Sequence, residues 1–332
     1  MKRVTIYEVA KEANVSLATV SRVMNGSNVV KSATKEKVES AIAKLGYRPN
    51  AIAQGLALQK TTTIGLIFPE NSISHTAQII NGLCDVAKIY NYNISFHTIS
   101  EGITNIQEVI DGVIKSRVDG VILFSNKNLD DSYKLLDEYQ IPLVVVGNRV
   151  KCESVCSVYI DYLSAVNELV CDYLAKGKKK VYVVEDRRNY NITRDMLDGA
   201  KAAFKKHKLS FDNYIEYSHD ERSTYKYLRS WFKTHKDIDL MIVSRDSQAL
   251  AVLNAANDND LNVPNDFELV CMNDSKYDSM VRPQISGFVV PSYDLGAVAM
   301  RAVTKLLKGE AVEDKQKVLG YLYRERETTI SR

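Results

Sequence analysis

Apolar residues recur at helical spacing three times before Gly46, and at Thr61 the pattern changes to short apolar runs that persist almost to the end. Ile6, Val9, Ala10 and Ala13 fall on one face of a helix. Thr5 and Glu8 have the spacing of a capping box, with the hydroxyl accepting from an early N–H and the carboxylate reaching back. The helix stops at Ala13–Asn14, where the chain needs a left-handed residue and Asn is the best non-glycine choice. Ser16 caps a second helix. Its Val20, Val23 and Met24 face inward, leaving Leu17, Ala18, Ser21 and Arg22 outward. A third helix over 32–45 takes Ser32 as its cap and buries Val38, Ile42 and Leu45. Gly46 stops it ahead of Pro49.

Residues 50–58 (NAIAQGLAL) begin with a good cap, Asn50, and are rich in alanine. With Gly55 inside, so short a segment does not hold a helix alone in water. It reads either as a linker with weak helical tendency or as a hinge that folds when a partner supplies contacts. In the second case Leu56 is an apolar wedge for the minor groove.

From Thr61 strand and helix patterns alternate. Strands are predicted at Ile64–Phe68, Ile94–Thr98, Gly120–Phe124, Leu143–Val146, Val155–Ile160, Val181–Val184, Leu240–Val243, Leu269–Met272 and Gly287–Val290. Helices are predicted near 75–91, 104–117, 130–139, 162–176, 194–207, 222–235, 246–259 and 293–308. Such alternation implies open parallel sheets with helices on both faces, and the length suggests two of them.

Charge sharpens this division. Residues 1–60 carry ten Lys/Arg against four Asp/Glu, a balance of +6; the whole chain is +3, so the remainder carries −3. A small basic head on a slightly acidic body suggests that the head meets a polyanion. Short outward side chains and one arginine on the second helix suit the DNA major groove, although the same pattern also fits a plain helical hairpin. The lysines at 176 and 178–180 read as a solvated turn at a helix end. The five cysteines (Cys84, Cys152, Cys156, Cys171, Cys271) and five histidines lack metal or catalytic spacing, so no metal or cofactor is expected. There is no G-x-S-x-G, P-loop or G-x-G-x-x-G, and nothing argues for an enzyme. No apolar run is long enough for a membrane span, and the N-terminus has no signal-peptide pattern; a cytoplasmic protein is expected.

Head, hinge and body in this order resemble the lactose-repressor/galactose-repressor family of bacterial transcription regulators. The resemblance rests on Thr5–Ala10 (TIYEVA), Val15–Val23 (VSLATVSRV), Asn25–Gly26, Thr34 with Lys37 and Val38, Gly46–Ala51 (GYRPNA) and Ala53–Ala57 (AQGLA). Ile64–Gly65, Val118–Gly120, Val263–Pro264 and Arg282–Pro283 extend it through the body. Asn14 stands where the family usually has glycine. The resemblance implies that Leu17, Ala18, Ser21 and Arg22 face base edges, with Arg22 reading guanine. Thr5, Tyr7, Ser16, Thr19, Asn25, Tyr47, Asn50 and Ala53 join them as DNA contacts that position the protein. Leu56 would be the wedge at the centre of a pseudo-palindromic operator bound by a homodimer.

The fold so implied is a three-helix helix-turn-helix head over 1–48, a hinge helix over 49–60, and a core over 61–332. The core resembles periplasmic binding proteins, with two doubly wound parallel-sheet subdomains. The N-subdomain spans about 61–160 and 291–320; the C-subdomain spans about 161–290 with the C-terminal tail. Ending directly after Arg326–Thr329, the chain has no room for the tetramerising heptad helix of some members, so a dimer is expected.

Pro291–Arg301 (PSYDLGAVAMR) with Thr304–Leu306, Thr61–Thr63 and Tyr90–Tyr92 are similar to a catabolite-control branch of the family. Its corepressor is a phosphoryl carrier protein, HPr, phosphorylated on serine. The resemblance places that contact on Tyr90, Tyr293, Asp294, Ala297, Val298, Arg301 and Lys305. The same residues also fit the wet face of an amphipathic core helix. Ala302 replaces a larger aliphatic at the docking face, and Leu322 replaces a tail arginine. The sugar cleft departs too. Met196 stands at the family's sugar-binding arginine, Arg245 at an asparagine, Asn273 at an aspartate, and His75 and Thr76 at an aromatic pair. A cleft using His75, Arg194, Arg245, Asn273 and Asp274 favours a sugar phosphate or other anion over a plain sugar. A sugar- or sugar-phosphate-responsive local repressor is therefore the alternative, and a non-regulatory sugar-binding protein a remoter one.

Overall fold

The computed structural model describes residues 4–24, 29–48, 60–69, 73–99, 106–124, 136, 138–150, 152, 155–186, 191–217 and 221–330. The chain divides into two compact units, Met1–Thr62 and Thr63–Arg332. In the first, α1 (Ile6–Glu12), α2 (Leu17–Met24) and α3 (Ser32–Leu45) follow one another. In the second the order is β1 (Thr63–Pro69), α4 (Ile73–Ile89), β2 (Asn93–Ile99), α5 (Ile106–Lys115), β3 (Gly120–Phe124), β4 (Leu143–Val146) and β5 (Cys156–Ile160). It continues with α6 (Tyr162–Ala175), β6 (Val181–Asp186), α7 (Asn191–Lys206), β7 (Tyr214–Tyr217), α8 (Glu221–Trp231), β8 (Leu240–Val243), α9 (Asp246–Asn257) and β9 (Glu268–Cys271). The last elements are β10 (Ser286–Val289), α10 (Ser292–Leu307), β11 (Gln316–Leu319) and β12 (Leu322–Arg324).

The helix ends of the first unit follow from single residues. Asn14 adopts φ 52°, and two bonds close around it: Asn14 N–H to Lys11 O (3.3 Å) and Val15 N–H to Ala10 O (3.0 Å). Gly46 adopts φ 62° and ends α3 the same way, with Tyr47 N–H donating to Ile42 O (3.1 Å). A Cβ at Gly46 would meet nothing within 4 Å, so only its backbone angle calls for glycine. The N-terminus of α3 departs from expectation: Lys31 holds the cap position without a side-chain bond, and Ser32 is the first helical residue. Val9, Val20 and Val38 are fully buried, ringed by Ala10, Ala13, Val23 and Ala41. Each such valine contributes about 1.5–3 kcal/mol, so this small core leaves every cap important.

The second unit holds two six-stranded sheets, ordered β11-β5-β4-β3-β1-β2 and β12-β10-β9-β8-β6-β7. All pairings are parallel except β10 with β12. The central strands are buried along their length, as the apolar runs require when helices cover both faces. Each predicted strand is present to within about two residues. Three more exist that periodicity missed: β7, β11 and β12, all at sheet edges. They are short, and exposed residues such as Tyr214, Val318 and Leu322 interrupt their apolar pattern. The predicted helix near 130–139 falls largely outside the described residues. The helix predicted to reach 235 ends at Trp231; beyond it His235 stacks on the Trp231 ring, 4.2 Å between centroids.

The chain passes from the first sheet to the second between β5 and α6. It returns between β10 and α10, and crosses again between β11 and β12. Tyr162 and Tyr321, at two of these crossings, pack against the cores of both sheets. The doubly wound architecture expected from the alternating pattern is therefore present.

Candidate nucleic-acid interface and control surfaces

The first unit presents α2 through its cap. Ser16 Oγ accepts from Thr19 N–H (3.2 Å), and the two hydroxyls lie 2.9 Å apart. At α1, Thr5 N–H donates to Glu8 Oε2 (2.7 Å), which is the carboxylate half of the capping box. The Thr5 hydroxyl also donates to Glu8 Oε2 (3.0 Å), and the capping box expected between Thr5 and Glu8 is present. With Val20 and Val23 buried, Leu17, Ala18, Ser21 and Arg22 form the exposed stripe of α2. Lys35 and Lys44 pair with Glu39 and Glu12, whereas Arg22 has no ion pair among the described residues. Tyr7 is 69% exposed, while Tyr47 packs half-buried against the head core. Asn25, Asn50, Ala53 and Leu56 lie outside the described residues. A stripe of short side chains with one uncommitted guanidinium is what a major-groove reader needs: close approach, and a planar fork for guanine O6 and N7.

A second surface lies on α4 and α10. These helices cross at two glycines: a Cβ on Gly82 would collide with the Tyr293 carbonyl, and one on Gly296 with the Ile79 carbonyl. This contact sorts the residues predicted to bind a partner protein. Ala297 is 2% exposed and sits in the crossing, so the expectation that it touches a partner is corrected. Tyr293 is exposed and its hydroxyl donates to Asp85 Oδ2 on α4 (3.3 Å). Lost hydration and then Asp85 raise the Tyr293 phenol, while Arg301 pulls it down. Tyr90, just beyond α4, carries the Lys308 ammonium over its ring at 5.0 Å. Asp294, Val298, Arg301 and Lys305 recur along one outer face of α10. Neither Arg301 nor Lys305 pairs with a carboxylate among the described residues.

The third group follows the carboxyl ends of the parallel strands, where open α/β sheets bind ligands. Arg245 directly precedes α9, beyond β8; Asn273 and Asp274 follow β9; α7, carrying Arg194, follows β6. Asp274 is already engaged: Arg326 Nη2 lies 2.6 Å from Oδ1 and Arg324 Nη1 3.0 Å from Oδ2. Met196 is fully buried within the core. Arg194 is exposed, and being two residues away it lies on a different side of α7 from Met196. His75 belongs to α4, and its side chain lies outside the described residues. Burial, Asp161 and Asp198 push Asp195 up to about 6, against the pull of Arg194. Asp278, 1% exposed, also rises to about 6, chiefly by burial.

Residues 5–50 match the family of bacterial regulatory proteins, lacI family, and residues 172–329 match the periplasmic binding protein-like domain. Catabolite control protein A of Staphylococcus xylosus is 37% identical over 329 residues, covering 98% of this chain and 99% of that protein. The chain belongs to the lacI family. The HTH-type transcriptional regulator pepR1 of Lactobacillus delbrueckii subsp. lactis is also 37% identical, over 99% of this chain and 98% of that protein. In fold, the lac repressor dimer bound to operator and the anti-inducer ONPF superposes with a TM-score of 0.88 at 22% identity, over 99% of this chain and 100% of that one. The transcription regulator CcpA of Lactococcus lactis superposes at 0.71 with 26% identity, over 81% of this chain and 99% of that one.

As a lacI-family member the chain is a DNA-binding transcriptional regulator and not an enzyme. Among the described residues no helix is long and apolar enough to cross a membrane. Sequence reasoning missed four residues that the fold brings to these surfaces: Asp85, Lys308, Arg324 and Arg326. Their partners are distant in the chain, and no local spacing signals them.

Proposed function

We propose that this lacI-family regulator is a cytoplasmic repressor of carbohydrate and catabolite genes that binds a pseudo-palindromic operator as a homodimer. Leu17, Ala18, Ser21 and Arg22 read base edges. Thr5, Tyr7, Ser16, Thr19, Asn25, Tyr47, Asn50 and Ala53 fix register on the backbone, and Leu56 enters the minor groove at the operator centre. The observation that carries this reading is the exposed stripe of α2, held by the Ser16 cap and carrying Arg22, which has no ion pair among the described residues. Selection of bound duplexes from a random pool tests it. A two-fold-related site is expected, with affinity falling steeply as salt rises. Equal binding to every duplex, unchanged by Arg22→Ala, refutes it.

Serine-phosphorylated HPr is the corepressor in this proposal, docking on Tyr90, Tyr293, Asp294, Val298, Arg301 and Lys305. The full-length similarity to catabolite control protein A supports this assignment. So do two cations one helical turn apart without a carboxylate partner among the described residues, suited to a phosphoryl group. A second reading, a sugar phosphate at Arg194, Arg245, Asn273 and Asp274, draws support from the arginine directly beyond β8. Calorimetry with sugars and sugar phosphates distinguishes the two.

A further inference from the structure

α10 does not face solvent evenly. Val298, Arg301, Ala302 and Lys305 line one wall of an open recess of about 270 Å³ whose other side is formed by residues of β5, β11 and the turn before β11. Val158 and Val312 add apolar floor, and Ala302 lines the recess with a short side chain. Lys317 of β11 lines the same recess. It is 3.4 Å from Asp314 Oδ2, and both side chains are about half exposed. Three cations from two elements thus share one recess, and two of them lack a carboxylate partner among the described residues. The third pairs only weakly, since an exposed pair within one turn is easily exchanged.

We propose that Lys317 is a third phosphoryl-binding residue, which exchanges Asp314 for the phosphoserine of a docking protein held by Arg301 and Lys305. This rests on the corepressor reading above and adds the recess and its gate. A phosphoserine dianion is a stronger partner for a lysine than an exposed carboxylate, because it offers more charge and three acceptor oxygens. The apolar floor beside the cations fits a protein surface, which brings side chains along with its phosphate, better than a free anion. Asp314 then acts against unphosphorylated partners: without the dianion, Lys317 stays paired and the recess presents a carboxylate rim of Glu313 and Asp314.

The test is calorimetric titration of the full-length protein with serine-phosphorylated HPr, unphosphorylated HPr and inorganic phosphate. Lys317→Ala should weaken the phosphorylated protein about tenfold and leave the unphosphorylated one unchanged. Asp314→Asn should tighten the phosphorylated form about two- to threefold. Thermal melting of both variants should match the parent, since both positions are exposed. If Lys317→Ala binds within twofold of the parent while Arg301→Ala loses binding, the inference is overturned and the corepressor reading survives. If Arg301→Ala and Lys305→Ala also change nothing, that reading fails as well. Inorganic phosphate binding as tightly as the phosphoprotein would also overturn the proposal, by making the recess a small-anion site.

Discussion

Two helices of this protein, α2 and α10, each show a stripe containing an arginine with no ion pair among the described residues, and they differ in what surrounds it. Around Arg22 the stripe holds Ala18, Ser21 and a marginally exposed Leu17, so nothing prevents the helix axis from coming close to a partner. Around Arg301 lie Val298, Ala302 and Lys305, over a recess with an apolar floor. The first arrangement suits a rigid groove edged by hydrogen-bonding groups. The second suits a protein surface that brings both a charge and side chains. The supports differ too. α2 depends on one serine cap and a core of small residues, whereas α10 is locked against α4 by two glycines.

The largest effect should come from breaking the second support. Gly296→Val places side-chain atoms where the Ile79 carbonyl already lies, and should cost about 3 kcal/mol or more in denaturant unfolding of the core. Arg22→Ala should cost about 1–3 kcal/mol at one base position and leave core stability unchanged, measured by titrating matched and single-mismatch operators. Ser16→Ala should destabilise the head by about 1 kcal/mol and weaken all duplexes alike, readable by thermal melting of the head signal.

The smallest effect concerns neither helix. Because Asp195 rises from 3.8 to about 6, the folded protein holds its proton at pH values where the unfolded chain has lost it. This group's contribution to stability therefore falls as pH rises between those values. Asp195→Asn should melt higher than the parent above pH 7, by about 1 kcal/mol after allowing for partial exposure, with the difference vanishing below pH 3.8.

Much of this was legible in the chain. Helical spacing, Asn14, Ser16 and Gly46 specify the head because each acts on neighbours within five residues. The parallel strands are apolar runs because both their faces are covered. The edge strands escaped because they are short and half exposed. At the control surfaces the limits were of another kind. The spacing of Arg301 and Lys305 shows that they share a face, but not that Ala297 is turned into the α4 crossing. Nothing local to Asp274 announces that Arg324 and Arg326, some fifty residues on, have already claimed its oxygens. Long-range pairing is decided by topology, and no local pattern carries it.

The most direct measurement is operator affinity of the full-length protein with and without serine-phosphorylated HPr. The proposed mechanism predicts that the phosphorylated carrier tightens operator binding, that the unphosphorylated carrier does not, and that Arg301→Ala abolishes the difference without altering binding by the protein alone. Identical affinity in the presence of either form would contradict it.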